Sequence, residues 1–380
     1  MNYGMTVISQ NNMSFFEGEE KTPQQIADFL KEGAIFRSFA YLLAGFCPEG
    51  LKEKLVDGLA EITGEEKNAV ARKVRNWLNG KNLPQNRETL FQICFILKLN
   101  EEEACRVLGM IAETGIHYRN PKELAYAYAL RMGMSYQEAV KLKEQAVLLC
   151  EPAWNPAGSK KDAAFGTPFG YTKKLQEMFR EVMSEADFFA FLKEHGQELG
   201  ILHETAYQKF VELLDVLQNP KGKGGDGEEK SFTLDQVMQE YLRMNIPSQP
   251  RKKGAKSQEM TPLQKLVKRC WPNEGELIRM RRRQEDVSRK ALLLLYLVTE
   301  AFDMEPGEED DEYFFEDLEE DADTMLEIRW KRMDMFLDTY GMNRLDAGNP
   351  FDFLVIYALR AQGDDYAADR MEQMMEILFP

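Results

Sequence analysis

Residues 74–90, VRNWLNGKNLPQNRETL, decide the fold of this chain. In this stretch Trp77 is followed by Gly80, then by Pro84 and Leu90. Glycine commonly ends a helix and proline prevents its continuation, so the spacing predicts one helix that stops before the glycine and another that starts after the proline. The stretch therefore predicts a sharp corner between two helices.

The helix before the corner, predicted over residues 67–79, has two unlike sides. Val70, Val74 and Trp77 recur at helical spacing and predict a side that packs in a core. Guanidinium and carboxamide groups cover the opposite side, and such groups pair with guanine and adenine edges or with phosphate oxygens. The candidate DNA contacts on that side are Asn68, Arg72, Lys73, Arg75, Asn76 and Lys81. The residues alone leave open whether this side meets DNA or is only a solvated basic surface.

The helix after the corner continues with Ile93 and Leu97 at helical spacing from Leu90. The chain here resembles the helix–turn–helix domain of the Xre/Cro-like repressors. That family has an aromatic residue, then Gly, then Pro, then the pattern L-x-x-[IA]-x-x-x-L, and the matching residues are Trp77, Gly80, Pro84, Leu90, Ile93 and Leu97. Residues 51–64 are similar to that family's second helix and residues 99–109 to its fifth. The resemblance covers roughly residues 35–115 and implies that the helix ending at Trp77 reads DNA in the major groove. The segment from Gly64 to Val70 predicts a longer turn before the reading helix than the family has.

Nearly every periodic segment has the spacing of a helix, and alternating strand-like segments are scarce. The sequence therefore predicts an all-α, multidomain helical protein with an N-terminal helix–turn–helix domain and C-terminal helical domains. Asn100 with Glu103, and Ser135 with Glu138, predict capping boxes at two helix starts. The predicted divisions are an N-terminal extension (1–34), the Xre-like domain with a following helical hairpin (35–150), a linker (151–170), a helical segment (171–218), a flexible linker (219–230), a helical domain with a basic patch (231–302), an acidic linker (303–324) and a C-terminal helical segment (325–380).

The net charge of −16 is unevenly distributed along the chain. Residues 67–87 contain six basic residues and no acid, which favours a nucleic-acid contact there. A second basic patch is predicted at Arg279, Arg281, Arg282 and Arg283, either for nucleic acid or as a structural or protein-facing surface. Residues 300–327 contain fifteen acids and no lysine or arginine. This acidic segment is either a solvated linker or an autoinhibitory segment that competes with DNA for a basic groove.

Two segments of the chain echo each other. Residues 120–131 and 349–360 both begin with Asn-Pro, end with Tyr-Ala-Leu-Arg and carry an acid at the third helical position, Glu123 and Asp352. Asparagine as the helix cap, proline at the first position and an acid in the first turn are a common way to start a helix. The echo therefore fits either a shared capping solution or a duplicated unit.

The sequence offers little support for catalysis. The histidines His117, His195 and His203 do not form a metal-binding spacing, and neither a nucleophile elbow nor a dinucleotide-binding glycine pattern is present. We therefore predict no catalytic residues, no metal site, no cofactor and no enzymatic activity. The five cysteines are scattered, no apolar run is long enough for a bilayer, and the start lacks a signal-peptide pattern, which predicts a cytoplasmic location without membrane contact.

The sequence favours a bacterial-type DNA-binding regulatory protein, similar to a transcriptional regulator. Its partners would be double-stranded DNA, a protein docked or sensed by the C-terminal helical region, and a second copy of the chain if the target is a palindrome. The alternative is an interaction or scaffold protein, for example in phage defence, whose helix–turn–helix domain docks protein instead of DNA.

Overall fold

The computed structural model describes residues 7–17, 20–84, 86–112, 115–150, 171–196, 199, 204–220, 231–244, 260–304, 322–362 and 365–380. Every regular element in these ranges is helical, which confirms the predicted all-α class. None of the helices in these ranges is long and apolar enough to cross a membrane. The predicted linker 151–170, residues 221–230 of the flexible linker and residues 305–321 of the acidic linker, to which the autoinhibition hypothesis refers, lie outside the described residues.

The helices of the first half are α1 (Val7–Ser14), α2 (Pro23–Glu32), α3 (Phe39–Phe46), α4 (Leu51–Thr63), α5 (Lys67–Leu78), α6 (Arg87–Ile96), α7 (Glu101–Ala112), α8 (Pro121–Arg131), α9 (Tyr136–Cys150), α10 (Tyr171–Arg180) and α11 (Glu185–His195). The helices of the second half are α12 (Glu204–Gln218), α13 (Leu234–Gln236), which continues into the π-helical turn Val237–Tyr241, α14 (Pro262–Cys270), α15 (Glu274–Arg281), α16 (Arg289–Val298), α17 (Ala301–Met304), α18 (Ala322–Thr339), α19 (Pro350–Ala358) and α20 (Ala367–Leu378).

The chain folds into two compact units that are not simply its two halves. One, here the central unit, comprises residues 37–202 and 339–343. The other, here the terminal unit, comprises residues 1–36, 203–338 and 344–380. The first helices of the chain therefore belong with its last ones, whereas the sequence suggested only an extension for residues 1–34.

The central unit is built around the corner quoted above. In it α4 packs on α5 and α6, and α3 packs on α5 and α7. Helices α8 and α9 pack on each other as a helical hairpin with a short connecting turn. Val70, Val74 and Trp77 are all buried in its core, together with Leu90 and Ile93 of the next helix. The predicted apolar side of α5 is confirmed, and burial of that side directs the opposite side outward.

The terminal unit is built around α16, whose residues 291–297 are all buried. This helix packs on α12 and α20, while α19 packs on α14 and α20. The N-terminal helix α2 also packs on α20. The amide of Asn12 donates a hydrogen bond to the carbonyl of Ala347 at 2.8 Å, so α1 is attached to the loop before α19.

Candidate nucleic-acid interface

The turn between α4 and α5 is short. Helix α4 ends at Thr63, α5 begins at Lys67, and Gly64 takes a left-handed conformation with φ of 69°. Three residues therefore join the two helices, which is the length usual in helix–turn–helix motifs, often with glycine. The predicted longer turn is wrong because residues 67–69, which precede the first apolar residue Val70, already belong to α5.

The far end of α5 stops as its sequence predicts. Gly80 has a φ of 68°, and its amide donates to the carbonyl of Trp77 at 3.1 Å. The amide of Lys81 then donates to the carbonyl of Asn76 at 2.9 Å, which closes the last turn. The side chain of Lys81 is thereby placed beside the end of the helix, where it is exposed.

Three basic side chains on the outer side of α5 and at its end are available to a ligand. Arg72, Arg75 and Lys81 are exposed, and none of them pairs with an acid among the described residues. Asn68 is also exposed, whereas Asn76 is half-buried. These five predicted contacts lie along α5 or directly after it, on the side away from its buried valines.

Lys73 differs from its neighbours because it is already paired. Its ammonium contacts both carboxylate oxygens of Glu65, at 2.8 and 2.5 Å. Lys67 likewise pairs with Asp57 at 2.6 Å, and the amide of Asn68 donates to Glu66 at 3.0 Å. Exposed pairs of this kind contribute less than about 1 kcal/mol, so phosphate oxygens can replace the carboxylates. The acids of the turn nevertheless lower the positive potential at the start of α5.

Arg87 belongs to the basic block in the sequence but not to this surface. Its guanidinium donates to both oxygens of Glu123, at 2.6 Å each, and to the carbonyl of Gly115 at 2.7 Å. The outward basic residues of the block therefore number five and not six. The sequence did not predict this pair because Glu123 lies on another helix, α8. The one signal for it was that Glu123 and Asp352 occupy the same position in the two Asn-Pro segments.

The surface formed by α4, α5 and their turn is polar. None of the large apolar side chains that are exposed in the described residues lies between positions 51 and 84. Protein interfaces usually bury an apolar centre, whereas DNA interfaces are polar and positively charged. Residues 51–84 therefore expose no apolar centre of the kind that protein interfaces usually bury.

The second predicted patch is not a single free surface. Arg279 pairs with Glu285 at 2.8 Å, and Arg283 pairs with Glu204 at 2.5 Å while lying over the ring of Tyr207. Only Arg281 and Arg282 are exposed without an acidic partner in the described part of the chain. Two of the four predicted arginines thus serve local contacts.

Side chains with catalytic or metal-binding chemistry are dispersed. The described residues contain no group of three or more His, Cys, Asp or Glu side chains arranged to hold a metal ion. His195 is buried and packs against the ring of Phe191, and His203 lies outside the described residues. Burial raises the pKa of the Cys94 thiol, which keeps it protonated and poorly nucleophilic.

Comparison with models of protein families, with curated proteins and with solved structures gave no match to this chain.

Proposed function

We propose that the chain is a DNA-binding regulatory protein whose α5 enters the major groove of duplex DNA. One observation carries the proposal. Arg72, Arg75 and Lys81 are exposed, without acidic partners in the described residues, on the outer side of a helix that follows a three-residue turn. The chain as a whole has a charge of −16, so this local surface, and not the overall charge, would attract a polyanion.

The dimensions of an α-helix suit the groove. With its side chains a helix is about 10–12 Å across, close to the major-groove width of about 12 Å. At a rise of about 1.5 Å per residue, the outer side from Asn68 to Arg75 is about 10 Å long. In helix–turn–helix proteins the first residues of the reading helix approach base edges. Asn68 and Arg72 would therefore read bases, whereas Arg75 and Lys81, farther along, would contact phosphates.

Direct DNA binding and protein docking differ in their dependence on salt. Each phosphate that a cation neutralises contributes about −0.9 to the slope of log K against log salt concentration. Protein docking through a polar surface would leave the affinity for DNA low and equal in all variants. The slope is therefore the quantity that separates the two functions.

The test uses the full chain and a fluorescent duplex of random sequence, because non-specific binding already reports phosphate contacts. Fluorescence anisotropy would be measured between about 50 and 200 mM salt for the wild type and for R72Q/R75Q/K81Q. We expect the triple variant to bind more weakly and its slope to be smaller by about 1.8 in magnitude, because Arg75 and Lys81 each contact a phosphate.

The matched control is K122Q/K141Q/R180Q, which removes three exposed cations of the same unit away from α4 and α5. It should leave the slope nearly unchanged. Equal slopes for the two triple variants, or an absence of DNA binding by the wild type, would overturn the proposal and favour protein docking.

A further inference from the structure

The central and terminal units contain the same arginine–carboxylate clasp. In the central unit Arg87, the first residue of α6, donates to both oxygens of Glu123 in the first turn of α8, at 2.6 Å each. In the terminal unit Arg289, the first residue of α16, donates to both oxygens of Asp352 in the first turn of α19, at 2.8 Å each. Both α6 and α16 are ten residues long, and both α8 and α19 begin with Asn-Pro.

The surroundings of the two clasps also agree. The amide of His117 donates to Glu123 at 2.8 Å, and the amide of Asp346, the equivalent residue, donates to Asp352 at 3.0 Å. The second residue after α6 and the second after α16, Lys98 and Glu300, both have a positive φ, of 56° and 52°. The shared Asn-Pro start of α8 and α19 does not explain these matches, because the matches also involve other helices and the loops beside them.

The helices that pack beside the clasps correspond as well. In the central unit α8 and α9 form a hairpin and α11 packs on α9; in the terminal unit α19 and α20 form a hairpin and α2 packs on α20. Helices α2 and α11 both contain the sequence Phe-Leu-Lys-Glu, at 29–32 and 191–194, and a glycine follows the last residue of each. The chain therefore contains two copies of one unit, the second completed by its N-terminal helices.

The duplication gives α5 a counterpart, α15. Each of these helices ends two residues before a left-handed residue, Gly80 or Arg283, with φ of 68° and 55°. The left-handed residue precedes the clasp arginine by seven positions in the central unit and six in the terminal unit. When the two helices are aligned on this left-handed residue, Leu277 and Met280 occupy the positions of Val74 and Trp77. All four side chains are buried.

The counterpart helix lacks the arginine that would read bases. The positions equivalent to Arg72, Lys73 and Arg75 hold Gly275, Glu276 and Ile278. The carboxylate of Glu276 is paired with Lys290 at 3.0 Å. The position of Asn76 holds Arg279, whose guanidinium is paired with Glu285 at 2.8 Å, so these four positions offer no unpaired group for a base edge.

Exposed cations are nevertheless present at the end of α15 and on the preceding helix of the chain. At its end Arg281 and Arg282 are exposed without acidic partners in the described residues. Helix α14, which precedes it by three residues, exposes Lys265 and Lys268, which also lack such partners. Phosphate contacts need only positive charge and donors, in contrast to base contacts, which need a defined pattern.

We propose that the terminal unit is a second DNA contact, which binds the phosphate backbone through Arg281, Arg282, Lys265 and Lys268 without reading bases. This inference rests on the proposed function of α5. Each unit would then carry its own contact for duplex DNA, one that reads bases and one that binds only phosphates.

The test compares R281Q/R282Q with K31Q/K331Q in the full chain on a random-sequence duplex. The control pair removes two exposed lysines of the same unit that lie on other helices. We expect R281Q/R282Q to reduce the magnitude of the salt slope by about 1.8, and K265Q/K268Q to have a similar effect. The control should bind as the wild type does.

The variants of α5 distinguish the two proposals. If R72Q/R75Q/K81Q lowers the slope but neither terminal pair does, the second contact is overturned and the function of α5 stands. If the terminal pairs lower the slope and the α5 variant does not, the role of α5 is overturned and the terminal contact is retained. If none of them lowers it relative to the controls, both proposals are overturned.

Discussion

Arg87 and Glu123, 36 positions apart in the chain, are joined by two hydrogen bonds of 2.6 Å each. The pair ties the start of α6 to the first turn of α8. The carboxylate also accepts from the amide of His117 and retains only 8% of its exposure, so its charge depends on the guanidinium for compensation. Arg87 keeps 30% of its exposure, so the pair lies at the margin of the core.

Replacing Glu123 by Gln should destabilise the chain, because it removes the negative charge that compensates the partly buried guanidinium of Arg87. Loss of one member of a buried pair costs about 3 kcal/mol, which urea unfolding followed by circular dichroism would detect. The matched control is Arg106→Gln, which breaks an exposed pair with Glu102 and should cost less than about 0.5 kcal/mol. Equal costs for the two variants would show that the clasp is not a stabilising contact.

The clasp of the terminal unit should be more sensitive still. Arg289 and Asp352 retain only 5% and 3% of their exposure, so Asp352→Asn should cost about 4 kcal/mol. Hydrogen exchange read by mass spectrometry would locate the effect. We expect faster exchange in α16 and α19 for this variant, and in α6 and α8 for Glu123→Gln. Identical exchange patterns in both variants would contradict the assignment of one clasp to each unit.

Glu65→Gln should strengthen DNA binding. The substitution removes a negative charge beside α5 and releases Lys73, which Glu65 holds at 2.5 and 2.8 Å. One additional phosphate contact would increase the salt slope by about 0.9 in magnitude. Glu61→Gln, an exposed change on α4 with the same charge difference, is the control. A gain of equal size in both variants would show only a general charge effect.

Gly80→Ala should lower stability by about 1 kcal/mol, since an L side chain is strained at a φ of 68°. A Cβ at this position would meet nothing within 4 Å, so the backbone conformation alone is tested. Gly45, within α3, is equally open but has no positive φ. Gly45→Ala should therefore stabilise the chain by about 0.5–1 kcal/mol. Thermal unfolding of the two variants should shift in opposite directions.

Asp334 gives the terminal unit a contribution to stability that falls as pH rises. Burial raises the pKa of this carboxyl from 3.8 to about 6, although it accepts hydrogen bonds from the amide of Leu345 and the indole of Trp330. Since the folded chain holds the proton more tightly, the stabilisation is complete below about pH 4 and is lost as pH passes 6.

Asp334→Asn should consequently gain stability relative to the wild type between about pH 4.5 and pH 7.5, by on the order of 1–2 kcal/mol. Urea titrations at both pH values measure the difference. Asp28→Asn, which replaces an exposed carboxylate in the same unit, is the control. A pH-independent difference for Asp334→Asn would mean that the pKa is not raised.

Local features of the structure were predictable from the sequence. The burial of Val70, Val74 and Trp77, the left-handed Gly80 and the capping contacts of Ser135 with Glu138 depend only on residues within one or two turns. The capping box of Asn100 and Glu103 is confirmed in the same way, with two reciprocal bonds of 2.9 Å. Such features follow from helical spacing and from the hydrogen-bonding needs of helix ends.

Long-range partners were not predictable. Arg72 and Arg87 have the same side chain and belong to the same basic block, yet one is exposed and the other is bound to an acid on another helix. The same holds for Arg281 and Arg283, of which the second is paired with Glu204. A single sequence shows which residues are charged and how they are spaced, but not which distant helix supplies the opposite charge. The sequence therefore predicted more available basic side chains on both surfaces than the structure has.

The attachment of α1 and α2 to the terminal unit has a consequence for synthesis. Ser9 hydrogen-bonds to Asp346, 337 positions later, so its partner leaves the ribosome long after it does. At about 5–20 residues per second, that delay is roughly 20–70 s. During this time the apolar sides of Ile26 and Leu30, which are buried in the finished chain, have no terminal unit to cover them. Residues 37–202 of the central unit can fold first, while the N-terminal helices remain a nascent segment that chaperones can bind.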